Sequence, residues 1–183
     1  MEDTIDIDEA RAEDPESLRD ALVDQFGYLV DEVTALSTVV DTLPDEILGG
    51  RPEPGALTMK ELYGAIAVLD EEVRRERVER IAEEDEPALD PVDINDEVRD
   101  NGWNEQEIGA ILDQLKAARR ELTDRLEGLP LDAWHRTATL EGETLTLFAL
   151  VYRMTQDDFQ RLRDLGYRLH GAHLSDRDEP LPT

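Results

Sequence analysis

The chain has 183 residues, no cysteine, and 46 Asp plus Glu against 19 Lys plus Arg, for a formal net charge of −27. A length that suits one domain is thus combined with a composition that excludes disulfides, thiolate metal sites and cysteine nucleophiles, and that leaves no basic patch to displace phosphate counterions from a nucleic acid. No apolar run approaches the ~20 residues of a bilayer span, and the first residues are acidic where a signal peptide would be basic and then apolar, so a cytoplasmic protein without membrane attachment is expected.

Residues 1–16 carry eight acids with Arg11 as the one base and no apolar period, which reads as an acidic disordered arm. From Leu18 the apolar positions Leu22, Phe26, Leu29, Val33, Leu36, Val40 and Leu43 recur at steps of three and four, one face of a long amphipathic helix that Pro44 stops. The run Gly49-Gly50-Arg51-Pro52-Glu53-Pro54-Gly55 is a loop, and Thr58 with Glu61 forms a capping box that opens a second helix. Its seam is Met59, Leu62, Tyr63, Ile66, Leu69 and Val73. Beyond Val73 the run from Glu72 to Arg80 pairs Glu with Arg at i,i+4, as expected of a solvated helix projecting past the core.

Residues 85–103 hold Pro87, Pro91 and many acids, and are too long for a tight connection. They read as a crossover along the bundle, with room for a short helix near Ile94 to Val98. Asn104 with Glu107 suggests a second capping box, leading to a third helix with its seam at Ile108, Ile111, Leu115, Ala118, Leu122 and Leu126 and its end at Gly128 and Pro130. Alternation around Gly142 suggests a small hairpin or turn whose Thr144 caps a fourth helix from Leu145 to about Leu169, with Phe148, Val151, Leu162 and Leu165 on its seam. Four amphipathic segments, one long crossover and no convincing set of strands describe an all-α four-helix bundle over residues 17–170, followed by an acidic tail over 171–183.

Three segments point to a family: Arg51-Pro52-Glu53-Pro54-Gly55-Ala56-Leu57-Thr58-Met59-Lys60-Glu61, Leu131-Asp132-Ala133-Trp134-His135-Arg136, and Gly142-Glu143-Thr144-Leu145 leading into Gln156-Asp157-Asp158-Phe159-Gln160. In order and spacing they resemble the DinB/YfiT-like family of helical-bundle proteins. The resemblance implies a divalent metal bound by one histidine on the second helix and a His-x-x-x-His pair on the last, and a chemistry related to thiol transferases or isomerases. Carried over by position, those ligands fall on Ala65, Gln156 and Gln160, so the three imidazoles are absent and no cofactor is expected. The composition itself, with only two lysines, Lys60 and Lys116, among 19 cations, resembles that of salt-in halophiles such as haloarchaea. Molar salt shortens the screening length to about 3 Å and removes most of the self-repulsion. An acidic partner-binding protein of a mesophile is the alternative.

Other ligand sets are weaker. His170 and His173 stand at i,i+3 with Asp176 close behind, and Asp132 with His135 is a fragment of a carboxylate-bridged di-iron motif. Asp90, Asp93, Asp96 and Asp100 lack the spacing of a calcium loop. Two functional readings follow. In the first, the chain is a non-catalytic binding or interaction protein, able to form a homodimer, with Gln156 and Gln160 filling the former site and seeking hydrogen bonds from Tyr63 or Tyr152. In the second it is an enzyme of altered chemistry, metal-free or using Asp157, Asp158 and His135, with a small organic molecule in a retained cleft near Trp134. The second predicts a concave pocket between helices two and four holding a carboxylate of raised pKa, and the first a filled core or flat patch.

Overall fold

The computed structural model describes residues 7–93, 95, 98 and 101–175, the side chains of 172–175 excepted. The first long helix is two: α2 (Pro15–Gly27), capped by the Asp14 carboxylate on the Ser17 amide at 3.1 Å, and α3 (Leu29–Val40), separated by Tyr28. Before them α1 (Ile7–Glu13) packs on α2 and on the last helix, with Ile7 against the core, so this part of the acidic arm is helical. Pro44 opens a single turn, α4 (Asp45–Leu48). The second long helix runs through α5 (Met59–Val68), a π-helical segment (Leu69–Arg74) and α6 (Arg75–Glu83). Then come α7 (Ile108–Glu127), a turn α8 (Leu131–Trp134), and α9 (Leu147–Ser175).

The Thr58–Glu61 capping box forms as its residue types require, and Glu61 also accepts two hydrogen bonds from Arg51, at 2.6 and 2.8 Å, and one from Asn104 at 3.0 Å. That use of Asn104 corrects the expected second capping box. Its amide ties the crossover to the second helix, and Glu107 holds the N-cap position of α7 without a side-chain bond. Nor does the second helix project beyond the core, since Val78 and Ile81 on α6 are fully buried. Most of the short helix expected near Ile94 to Val98, like Asp96, Asp100 and Asp176, lies outside the described residues.

The small hairpin expected around Gly142 forms, and a short third strand that was not expected joins it. β1 (Ala88–Leu89) pairs in parallel with β2 (Thr137–Leu140), which pairs antiparallel with β3 (Glu143–Thr146). The hairpin turns on Glu141 and Gly142, both at positive φ (53° and 84°), the two-residue turn whose twist matches paired strands. Thr144 therefore lies in a strand, and Thr146 caps α9 through the Ala149 amide at 3.3 Å. Arg136 braces the sheet to the second helix by donating to the Ile81 carbonyl at 2.8 Å and to that of Glu84.

Two apolar clusters fill the bundle. One joins α3, α5 and the N-terminal half of α7 to Leu165 and Leu169; the other joins α2, α6, the C-terminal half of α7, α8 and the sheet to the start of α9. In the first cluster the Trp103 indole lies flat on Gly64, where a Cβ would sit 2.3 Å from Trp103 Cδ2. Trp103 is itself buried and cannot withdraw. Gly64→Ala is therefore expected to lower stability by about 1–2 kcal/mol, the cost of overpacking less the gain in helix propensity. Gly166→Ala, on an open face of α9, should raise it by up to ~1 kcal/mol. Urea denaturation of the two variants checks both signs.

Candidate functional site

Between the two apolar clusters lies a layer of buried charge. Asp70 and Arg74 on the π-helical segment, Arg119 on α7 and Asp158 on α9 are each between 1% and 4% exposed. Arg74 donates to Asp70 at 2.8 Å and to both Asp158 oxygens at 2.7 and 3.1 Å. Arg119 donates to both Asp70 oxygens at 2.7 and 3.1 Å and to Asp158 at 2.7 Å. Each carboxylate is thus shared by two guanidiniums, and each guanidinium by two carboxylates. The first helix joins through Phe26: its carbonyl, in the last turn of α2, accepts from Arg119 at 3.0 Å, and its ring lies 3.8 Å below the Arg119 guanidinium.

Burial alone would raise the Asp158 pKa, but the charges and hydrogen bonds of Arg74 and Arg119 outweigh it and hold the carboxyl below the usual range. Burial likewise opposes the charge on Arg74, and Asp158 and Asp70 overcome it and push its pKa up. The quartet is neutral as a whole and exact in pairing, the condition under which buried ions are tolerated.

Beside this layer, between the second helix and α9, is a cavity of about 330 Å³. Its floor includes Arg74, its polar wall Arg77, Arg153, Arg161, Gln156 and Asp157, and its rim Leu140 and Glu141 of the hairpin with Pro91 and Val92 after β1. Arg77 spends one N–H on the Asp90 carbonyl at 2.6 Å, and Arg153 pairs with Glu143 at 2.6 Å. The Nη1 of Arg161 is buried without a hydrogen-bond partner.

The sequence-derived positions are scattered around this geometry. Ala65 is buried in α5 and does not border the cavity, while Gln156 and Gln160 are exposed and do not fill the core; Asp158, between them, does. Tyr63 is fully buried with an unbonded hydroxyl whose pKa burial pushes up to about 12. Tyr152 is half-buried against the second cluster. Trp134, expected near a retained cleft, ends α8 fully buried against Phe148, and His135 is exposed, edge-on to the same ring. Of Asp157, Asp158 and His135, the three residues named for an altered chemistry, Asp157 alone borders the cavity. His170 is exposed on α9, and the side chain of His173 lies outside the described residues. Among the described residues no three His, Cys, Asp or Glu side chains come together as metal ligands. Asp70, Arg74, Arg119 and the arginines of the cavity were not singled out from sequence. The available signal was their position, since Arg119 follows Leu115 by four and precedes Leu122 by three, and Asp158 precedes Leu162 by four, which places charges on apolar seams.

Removing one member of a buried, paired set leaves an uncompensated charge. Asp158→Asn and Arg119→Met are each expected to cost about 3–5 kcal/mol, and the double variant less than their sum because a neutral Asp70–Arg74 pair remains. A depressed carboxyl contributes stability that is complete above its unfolded pKa of about 3.9 and is lost as pH falls through the folded value. Acid titration of stability should therefore show a slope below about pH 4 that is shallower in Asp158→Asn.

Comparison with curated proteins gives no match. Among solved structures the fold is similar to that of YfiT from Bacillus subtilis, described as a probable metal-dependent hydrolase with an unusual four-helix bundle topology, with a TM-score of 0.67 and 16% identity over 83% of this chain and 87% of that one. The profile of the DinB superfamily matches residues 28–165, which include the π-helical segment, Arg119 and Asp158. The chain therefore belongs to the DinB superfamily.

Proposed function

We propose that this bundle is a metal-independent, non-catalytic protein that binds a small molecule in the cavity between its second and last helices. The donor set does not fit a divalent ion: Ala65 offers no ligand atom, Gln156 and Gln160 offer only neutral amides on exposed side chains, and the deep carboxylates Asp70 and Asp158 are saturated by arginine. The observation that carries the reading is the cavity itself, about 330 Å³ and within the range of small-ligand sites, with four arginines in its lining. A pocket was the mark of the catalytic reading, but the deep carboxylate beside it, Asp158, is paired with two arginines and its pKa is lowered rather than raised. His135 also lies away from the cavity lining, so it forms no acid–base pair with Asp157.

The relation to YfiT makes the metal question testable. Protein purified without an affinity tag should carry substoichiometric zinc, nickel, manganese and iron by inductively coupled plasma mass spectrometry, and its melting temperature should not move on adding EDTA. One equivalent of any of these metals, or a fall in melting temperature with chelator, would overturn the reading. We further infer a high-salt cytoplasm as the working environment, supported by the lysine-poor, carboxylate-rich composition. Surface repulsion is screened within about 3 Å in molar KCl, so the melting temperature should rise from dilute buffer to molar KCl. A flat or falling dependence contradicts the halophilic assignment.

A further inference from the structure

In a chain of net charge −27, the cavity between the second helix and α9 is lined by four arginines against two carboxylates, Glu141 and Asp157. Arg74 is committed to Asp70 and Asp158, which leaves Arg77, Arg153 and Arg161 as the cations facing the space. They are incompletely satisfied: Arg77 and Arg153 each have one bond to a carbonyl or carboxylate at the margin, and the buried Nη1 of Arg161 has none. An unbonded guanidinium N–H out of water costs about 1–3 kcal/mol or more, a cost removed by an acceptor entering the cavity. The charges point the same way, because burial first and the Arg74 guanidinium second lower the pKa of both Arg77 and Arg161, against partial relief from Asp157 and, at Arg161, Asp158. An anion would offset that repulsion. The rest of the wall is apolar, formed by Leu69, Val73, Leu150 and Met154.

We propose that this cavity binds a small organic carboxylate, its acid group taken by Arg161 with Arg77 and Arg153 and its apolar body by Leu69, Val73, Leu150 and Met154. A guanidinium fork presents two parallel N–H donors to a carboxylate, and a cavity of about 330 Å³ admits a short chain or single ring behind it. The inference rests on the small-molecule reading above and adds the ligand's charge and shape.

The test uses hexanoate, hexanol and inorganic phosphate as probes, titrated at constant KCl into the full chain. The methyl resonances of Val73, Leu150 and Met154 and the Nε–H resonance of Arg161 report occupancy. The expected result is saturable binding of hexanoate at least tenfold tighter than hexanol, with hexanoate weakened roughly tenfold by Arg161→Gln, the scale of one charge-assisted hydrogen bond, and hexanol unaffected. Arg153→Gln, on a more exposed side chain, supplies the same readout should Arg161→Gln disturb the fold. Equal affinity for hexanoate and hexanol would overturn the carboxylate assignment and leave the cavity as an apolar site. Phosphate binding as tightly as hexanoate would overturn it in favour of an inorganic anion only. Silence of the cavity resonances to all three probes would overturn both this inference and the small-molecule reading.

Discussion

Four opposite charges that must be buried together constrain this bundle more than any apolar contact. A carboxylate or guanidinium sealed between two hydrophobic layers is tolerated only when its charge and hydrogen bonds are answered, and here the answers come from different helices. Asp70 and Arg74 on the second helix can be satisfied only if Arg119 on the third and Asp158 on the fourth arrive at the same level, and the Phe26 carbonyl of the first completes the set. Apolar side chains would allow the helices to slide by a turn at modest cost. The ion layer does not, and so it sets the register of all four.

The irregularities of the long helices lie at this level. The first helix is interrupted at Tyr28, two residues beyond the carbonyl that Arg119 uses. The second passes into a π-helical turn over Leu69–Arg74, the segment that supplies both of its charged members. Widened turns of this kind are frequent at functional sites. The cavity opens next to it, and its remaining arginines lie on the same two helices, one or two turns from the quartet. One stretch of the bundle thus holds a neutral, fully paired ion set and, beside it, a cationic cavity whose arginines are only partly paired. The first accounts for fold specificity, and the second supplies the chemical character of the proposed ligand.

Much of the scaffold was legible in the sequence because it rests on period and punctuation. The seam from Ile108 to Leu126, the stop at Gly128 and Pro130, the Thr58–Glu61 box and the turn at Gly142 each follow from a local rule, and the helices and hairpin lie where those rules place them. The ion layer was less legible for a physical reason. In a chain with 36% charged residues, Asp70, Arg74 and Arg119 sit in runs of Glu and Arg that read as solvated surface, and only long-range packing separates a buried guanidinium from its exposed neighbours. Asp158 was obscured by the family pattern, which drew attention to Gln156 and Gln160 on either side of it. The end of the second helix reads as projecting into solvent for the same reason, because Val78 and Ile81 are isolated apolar positions within a charged stretch whose packing partners lie on distant segments.

The central claim is that arginine, and not a metal, holds the carboxylates between the second and last helices. A crystal structure from protein grown in molar KCl, with anomalous data collected at the zinc, nickel and iron edges, tests it most directly. The account predicts Asp158 within hydrogen-bonding distance of both Arg74 and Arg119 and no anomalous peak between the two helices. A peak within coordination distance of Asp70 or Asp158, with either arginine swung away, would contradict it.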